Sequence, residues 1–470
     1  MVKRRDKMGK NIKNQAPVEL GQEVSLWIDG LGSNGEGVGR VDNYTVFVPY
    51  ALPGEEVKVI IETVKKTYSI GRLTKLLQAS PERQEAPCEL YGICGGCQLQ
   101  HTTYENQLAL KTQKVKDIMV RIGGLEENLV LPALGPKNPW AYRNKMQMPV
   151  GGTQRNLHMG FYRRGSHAIV DGNNCLIQRP ENNKIAQVCY DLAHDLGVEP
   201  YDERTGKGFL RHVIGRVGQD QWMVILVGTG HNLPRQEEWV QGIRQALPKV
   251  SSIVLNINGR KTNVIMGPKN RLLWGETYIQ DAIGDLTFSL SPHSFFQVNP
   301  EQTAVLYNKA LEFADLSGGE SVIDAYCGTG TISLFLAHKA KRVIGIEIVE
   351  PAILDARKNA AANGFTNTEF IVGDAAIEMP KLYKKGQRPD VIVFDPIRAG
   401  CKEEVLKAAA GMKPKRMVYV SCNPASMARD IAILRPLGYE VVKVQPVDMF
   451  PQTSHVEAIA KLVRTKADKD

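Results

Sequence analysis

The sequence predicts an α/β protein: a doubly wound, mostly parallel sheet over residues 291–470, preceded by an all-β barrel and a strand-rich middle. Three observations carry that prediction. Strand-like and helix-like stretches alternate from about residue 292 onward, the pattern of a parallel sheet with helices on both faces. Between residues 18 and 78, short runs of alternating apolar and polar residues are separated by turn clusters such as Gly32-Ser33-Asn34-Gly35-Glu36-Gly37 and Leu52-Pro53-Gly54-Glu55. At 470 residues the chain also exceeds what one core holds, so it should divide into two to four domains.

Residues 1–17 are basic and have no apolar stretch behind them, which reads as a disordered, positively charged arm and not as a secretory signal. Residues 18–78 read as a five-stranded barrel, with strand cores at Val24–Ile28, Tyr44–Val48 and Glu56–Ile61. Lys65, Lys66, Arg72 and Lys75 give it a basic edge suited to RNA; the plainer alternative is a solubilising barrel with surface lysines.

A central domain is expected over residues 79–290. It opens on Cys88-x5-Cys94-x2-Cys97, where Gly92, Gly95 and Gly96 permit a backbone tight enough to wrap several thiolates around one centre. The fourth ligand is best supplied by Cys175. Zinc and iron–sulfur clusters both accept four thiolates, and the spacing does not separate them. The spacing does differ from the C-x3-C-x2-C of radical enzymes. Residues Tyr104–Arg121 carry Leu108, Val115, Ile118 and Met119 at helical intervals. Strand-like runs follow, notably Trp222–Val227 and Ser252–Ile257. Aromatic and basic residues interleave in Trp140-Ala141-Tyr142-Arg143-Asn144-Lys145 and in Gly160-Phe161-Tyr162-Arg163-Arg164, as single-stranded RNA would require; an ordinary exposed sheet face would look the same.

The C-terminal domain, residues 291–470, begins with a helix from Gln302 to Phe313. Strands are expected at the start of Ser321–Thr331 and at Arg342–Glu347, Glu369–Asp374, Asp390–Asp395 and Met417–Val420, with closing strands at Tyr439–Gln445 and Ala458–Val463. Gly328-x-Gly330 follows the first of these, and Glu347 ends the second, placed to meet ribose hydroxyls. The interval between them falls short of the ~20 residues of a dinucleotide site and a third glycine is missing, which disfavours pyrophosphate. At the end of the fifth, Ser421-Cys422-Asn423-Pro424 presents a single thiol where ligands of such sheets bind.

Charge and composition bound the function. Net charge is +9, from 59 basic and 50 acidic residues, which favours a polyanionic partner. No run approaches the ~18 apolar residues of a membrane span. A cytoplasmic protein is expected, with its eight cysteines reduced and the grouped ones serving as ligands or catalysts.

The pattern Asp324-x-x-Cys327-Gly328-x-Gly330, with Glu347 and Gly373-Asp374, is similar to the class I S-adenosylmethionine-dependent methyltransferases, whose fold is Rossmann-like. Enzymes that methylate amino nitrogens resemble N/D-P-P-Y where this chain has Asp395-Pro396-Ile397-Arg398, so a nitrogen target is unexpected. A carbon target explains the thiol. C5 of a pyrimidine becomes nucleophilic only when something adds at C6, and its proton must leave before the adduct can break down. Such a site needs a nucleophilic cysteine and a general base. Cys422 supplies the first; Glu457, opening an otherwise apolar last strand, is the best base.

Together these stretches resemble the RNA uracil-C5 methyltransferases, the 5-methyluridine enzymes of bacterial ribosomal and transfer RNA, with the barrel similar to a TRAM domain. The resemblance rests on that barrel, the four cysteines, Ser294-Phe295-Phe296-Gln297-Val298-Asn299, Asp324–Gly330, Asp395–Gly400, Ser421–Pro424 and Phe450–Glu457. It implies a 4Fe–4S cluster on Cys88, Cys94, Cys97 and Cys175, with zinc the alternative. It implies cofactor contacts from Gln297, Tyr326, Glu347 and Asp395, with Cys422 as nucleophile and Glu457 as base. The implied substrate is RNA, 23S ribosomal RNA first and the T loop of transfer RNA second, and the implied state is a monomer. An RNA-binding iron–sulfur protein with a vestigial methyltransferase domain is the reading from another class. Ile397 stands where the family usually has a second proline, which relaxes one backbone constraint and removes no chemical group. Cys189, Cys327 and Cys401 are expected to be ordinary core thiols.

Overall fold

The computed structural model describes residues 16–172 and 174–465. All but the end of the basic arm expected over residues 1–17 lies outside the described residues. By their contacts these residues form two compact units: the stretch ending at Pro87 together with Gln98–Asn106, and Cys88–Cys97 together with the chain from Gln107 on.

In the first unit, strands Glu23–Leu31, Gly37–Val41, Tyr44–Val48, Glu56–Val64 and Tyr68–Gln78 close into a barrel in the order first, second, third, fifth, fourth. Alternate side chains face opposite sides of a strand, so Leu26, Ile28, Val46, Val48, Val57, Val59 and Ile61 fill the interior while Trp27 stays outside. Glycine is obligatory at Gly39, where a Cβ would lie 2.2 Å from Leu26 and 2.5 Å from the Trp27 carbonyl. Arg72, expected on a basic edge, pairs with Glu62 at 2.6 Å. That leaves Lys65 and Lys66 in the hairpin turn, with Lys75, as its exposed cations.

The second unit holds two seven-stranded sheets. The first runs Lys269–Gly275, Val250–Ile257, Trp222–Gly228, Leu210–Val217, Lys145–Thr153, Asn156–Tyr162, Ile169–Asp171. Helices Pro180–Asp195 and Gln236–Ala246 cover it, with Ile185, Cys189, Trp239 and Ile243 buried against the strands. The sequence reading anticipated the strands and not these helices. Asn182 and Asn183 in one and Gly242 in the other are poor helix formers, and they break the apolar periodicity. Helix Tyr104–Arg121 forms over the expected residues, but its buried stripe is Gln107, Lys111, Val115 and Met119: half of it is polar.

The second sheet runs Thr368–Val372, Arg342–Glu347, Ser321–Asp324, Val391–Phe394, Arg416–Ser421, Glu457–Arg464, Tyr439–Val447. Six strands are parallel; Glu457–Arg464 alone is antiparallel to its neighbours. Its apolar strands are buried on both faces. Strand order reverses between Ser321–Asp324 and Val391–Phe394, the crevice where ligands of such sheets bind. Among the described residues no helix is long and apolar enough to cross a membrane.

Candidate active site

The inverted strand is what assembles the site. Cys422 follows the end of the parallel strand Arg416–Ser421, whereas Glu457 begins its antiparallel neighbour, and Ser421 pairs with Ala458. One residue leaves the sheet where the other enters it, so both lie on the same edge. Asn423 then caps helix Pro424–Leu434, its side chain accepting from Ala425 N at 3.2 Å, with Pro424 in the first turn. The same side chain donates to the Arg398 carbonyl at 3.0 Å, tying the cysteine turn to the neighbouring turn after Asp395.

Arg398 hydrogen-bonds the Cys422 side chain, and its Nη2 lies 3.4 Å from His455 Nδ1. Burial and the negative charges of Glu457 and Asp395 raise the thiol, with Arg398 pulling it back. Glu457 is buried, which pushes its carboxyl up to about 7, and again only Arg398 opposes the shift. Asp395 goes well above the carboxylate range, through desolvation and then the charges of Glu457 and Asp324. The three groups therefore share one pocket, and it holds less negative charge than their number suggests. Tyr307, buried beside them, donates or accepts at Thr331 Oγ1 over 3.1 Å, and burial drives its phenol far above the usual range. The sequence reading missed Tyr307, since a tyrosine within a helical run reads as core. It used Arg398 only to exclude a nitrogen target, although the guanidinium reaches the thiol.

Next to this pocket the first parallel strand ends at Asp324, raised to about 6 by burial. Its Oδ2 accepts from Ser333 Oγ at 2.6 Å, while its Oδ1 is buried with no partner among the described residues. Gly328 adopts φ +53°, and a Cβ there would meet nothing within 4 Å, so this turn keeps open space for a ligand. Glu347 accepts from Gly328 N at 3.2 Å and Val349 N at 2.9 Å, which fixes its carboxylate at the strand tip. Ile348 beside it is 63% exposed, an apolar surface the sequence reading did not single out. Tyr326 is half-buried, with its hydroxyl bonded to Cys401. Gln297 is half-buried on the segment leading to helix Pro300–Ala314. Arg216 anchors that segment through the carbonyls of Pro292 at 3.1 Å and Ser294 at 2.6 Å.

The four grouped cysteines lie in the second unit, all half-buried and none of them in a disulfide. Cys88, Cys94 and Cys175 are close enough for their charges to repel, which with burial raises the thiols of Cys94 and Cys175. Cys94 Sγ accepts from Gly96 N at 3.4 Å; Cys175 accepts from the amides of Ile177 and Gln178. Cys97 is felt instead by Lys111 and Tyr142. Among the described residues no three His, Cys, Asp or Glu side chains converge on a single metal position. Cys189, Cys327 and Cys401 are buried, as core thiols should be. Tyr142, expected as a stacking face, is also buried and donates to the Pro451 carbonyl at 3.0 Å, whereas Tyr162 stacks on His167 at 5.3 Å near the surface.

A doubly wound sheet, a glycine turn open to a ligand and an acidic residue closing the next strand are the frame of a nucleoside-cofactor site, as in S-adenosylmethionine-dependent methyltransferases. Comparison with known proteins narrows this. A tRNA (Uracil-5-)-methyltransferase family model matches residues 232–465, and a TRAM domain model matches residues 17–74. An uncharacterized RNA methyltransferase of Halalkalibacterium halodurans is 52% identical, the match covering 96% of this chain and 99% of the relative. Another, from Bacillus cereus, is 49% identical over 97% and 99%. The crystal structure of Pyrococcus abyssi tRNA (uracil-54, C5)-methyltransferase with S-adenosyl-L-homocysteine superposes with a TM-score of 0.75 at 28% identity, covering 94% of this chain and all of that one. The chain belongs to the uracil-5 RNA methyltransferase family, and its first unit carries that family's TRAM barrel.

Proposed function

We propose that the protein methylates C5 of a uridine in RNA through a covalent adduct between Cys422 and C6. The convergence of Cys422, Glu457 and Arg398 on one sheet edge is the observation that carries this reading. S-adenosylmethionine supplies an electrophilic methyl group on a sulfonium. The unpartnered Asp324 Oδ1, the open Gly328 turn and the fixed Glu347 carboxylate suit its polar groups, and Ile348 offers an apolar face for its base. Gln297, Tyr326, Glu347 and Asp395 would hold it.

Cys422 loses its proton to solvent, and the thiolate sulfur bonds to C6, moving the C5–C6 π electrons into an enolate. Arg398, bonded to the thiol, favours the thiolate. C5 then takes the methyl group, and the sulfonium becomes a thioether. Glu457 accepts the C5 proton; the double bond re-forms and the Cys422–C6 bond breaks. A carboxyl that titrates near 7 suits that step, because it is ionised enough to accept and basic enough to pull.

We infer 23S ribosomal RNA as the substrate, on the TRAM barrel and the cysteine quartet. The similarity to the Pyrococcus tRNA (uracil-54, C5)-methyltransferase favours the transfer-RNA reading instead. Mapping 5-methyluridine in both RNAs from a deletion strain decides. Loss from 23S supports the first, and loss from the T loop moves the assignment to the second. A tritium-release assay that gave no turnover on either would point to a vestigial enzyme.

We infer a 4Fe–4S cluster on the quartet, with one zinc ion as the alternative. A single tetrahedral ion needs all thiolates ~2.3 Å from one point, whereas a cubane gives each thiolate its own iron. Amide donors to Cys94 and Cys175 would stabilise bound thiolates. Anaerobically purified protein should contain about four irons and matching labile sulfide per chain. Stoichiometric zinc without sulfide would replace this reading.

A further inference from the structure

The loop from Asp448 to Val456 leads directly into Glu457 and forms no helix or strand of its own. Its backbone groups must be satisfied by something else. Side chains from outside the catalytic sheet do so, one after another. Asn299 donates to the Met449 carbonyl at 3.2 Å, Lys111 to Phe450 at 3.2 Å, Tyr142 to Pro451 at 3.0 Å and Lys114 to Ser454 at 2.8 Å. Gln107 makes a two-way pairing with Gln452: its Nε2 donates to the Gln452 side chain at 3.0 Å, and its Oε1 accepts from Gln452 N at 3.0 Å. Gln452 sits at φ +70°, a left-handed conformation that a non-glycine residue adopts only when its surroundings hold it there. At the loop's root, Lys111 Nζ also meets Asp448 Oδ1 at 2.6 Å, with the two side chains 2% and 0% exposed.

Gln107, Lys111 and Lys114 belong to one face of helix Tyr104–Arg121. This explains why that helix buries polar residues where its periodicity called for apolar ones. A buried lysine contributes little net stability even when paired, so packing alone does not account for it. We propose that Lys111, with Gln107, is a positioning residue of methyl transfer, holding loop 448–456 in the one shape that aims Glu457 at the C5 proton. The proposal rests on the reading of Glu457 as the base. Neither residue is assigned a contact with substrate or cofactor; each acts through the loop.

The test separates positioning from plain structural support by which step slows. Lys111→Met and Gln107→Leu are compared with Glu457→Gln using RNA, methyl-labelled cofactor and a denaturing gel. A loop loosened by about 1 Å should leave addition and methyl transfer running but slow proton removal by ~10- to 100-fold. Methylated covalent enzyme–RNA complex should then accumulate in both variants, with KM for RNA unchanged. If the residues only support the fold, activity falls with the folded fraction and no adduct builds up, which overturns the proposal. Should Lys111→Met fail to fold, Gln107→Leu carries the test alone, since it removes no charge. If Glu457→Gln itself accumulates no methylated adduct, it is the base assignment that fails. If it does while the other two turn over cleanly, only the positioning role is lost.

Discussion

Asp448 and Glu457 stand at the two ends of the same loop, both almost wholly buried, and the protein treats them in opposite ways. Asp448 is neutralised by a full ion pair, the Lys111 ammonium at 2.6 Å, and takes a further bond from Phe450 N at 3.1 Å. Glu457 has no ion pair among the described residues and feels the charge of Arg398 alone, so desolvation wins and its carboxyl climbs to about 7. A buried carboxylate that supports structure is best given its counter-ion. One that must take up and release a proton has to be left poised, and the fold bears the cost of that poise. The contrast accords with the proposed roles: within one loop, the unpaired carboxyl is the one proposed to do the chemistry.

The strongest way to break the contrast is to remove either partner in the chemistry. Cys422→Ala should abolish both methylation and the covalent adduct, read on a denaturing gel. Glu457→Gln should lower turnover by ~10²–10⁴ while trapping the methylated adduct. In the wild type, turnover should rise with pH through about 7 as Glu457 ionises. Stability should move the other way. A carboxyl raised from 4.5 to about 7 contributes stability that is present below 4.5 and lost as pH climbs through 7. That loss is about 3 kcal/mol at most. Glu457→Gln should therefore melt above the wild type at pH 8 and match it at pH 4; equal melting at both would show that the carboxyl is not strained.

Asp448 should respond with the opposite sign. Asp448→Asn leaves the buried Lys111 unpaired and Lys111→Met leaves Asp448 unpaired, so each should cost ~3–5 kcal/mol at neutral pH. Replacing both, as Lys111→Met/Asp448→Leu, should recover much of that loss, because the ion pair as a whole is worth little more than apolar packing. Denaturant unfolding of the three variants checks this. If the single variants were as stable as the wild type, Asp448 would not depend on its counter-ion and the two ends of the loop would not differ.

Much of this was legible in the sequence, and what was missed shares a cause. Alternation of strands and helices located the catalytic sheet, and helix Tyr104–Arg121 formed over the residues that periodicity marked. Cys422 and Glu457 stood out as candidates because a thiol in a turn and an acid at the head of an apolar strand are local anomalies. Their meeting on one edge depends on the inverted last strand, which no local pattern encodes. Lys111 and Gln107 drew no notice within that helix, since their partners lie more than 330 residues away. Tyr142 went wrong for the same reason: an aromatic among cations looks like a stacking face until the Pro451 carbonyl is found at its hydroxyl.

The smallest expected effect tests why Glu457 stops near 7 and rises no further. Among the described residues Arg398 is the charge that lowers it, and the same guanidinium lowers the Cys422 thiol. Arg398→Met should then move the rising limb of the pH–rate profile upward, by on the order of one pH unit for a cation acting across a few ångströms at the effective permittivity of such sites. His455 also faces Arg398 and is held down to about 4 by burial and by neighbouring cations. Losing Arg398 would lift it too, but toward 6.5 at the highest, its ordinary value and already below the wild-type limb. A limb that moves above 7 is therefore Glu457 or the thiol, and combining Arg398→Met with Glu457→Gln tells them apart. If the limb survives in the double variant it belongs to Cys422; if it vanishes, it belongs to Glu457. A profile that does not move at all in Arg398→Met would mean that the guanidinium has no hold on either group. Glu457 would then owe its poise to burial alone.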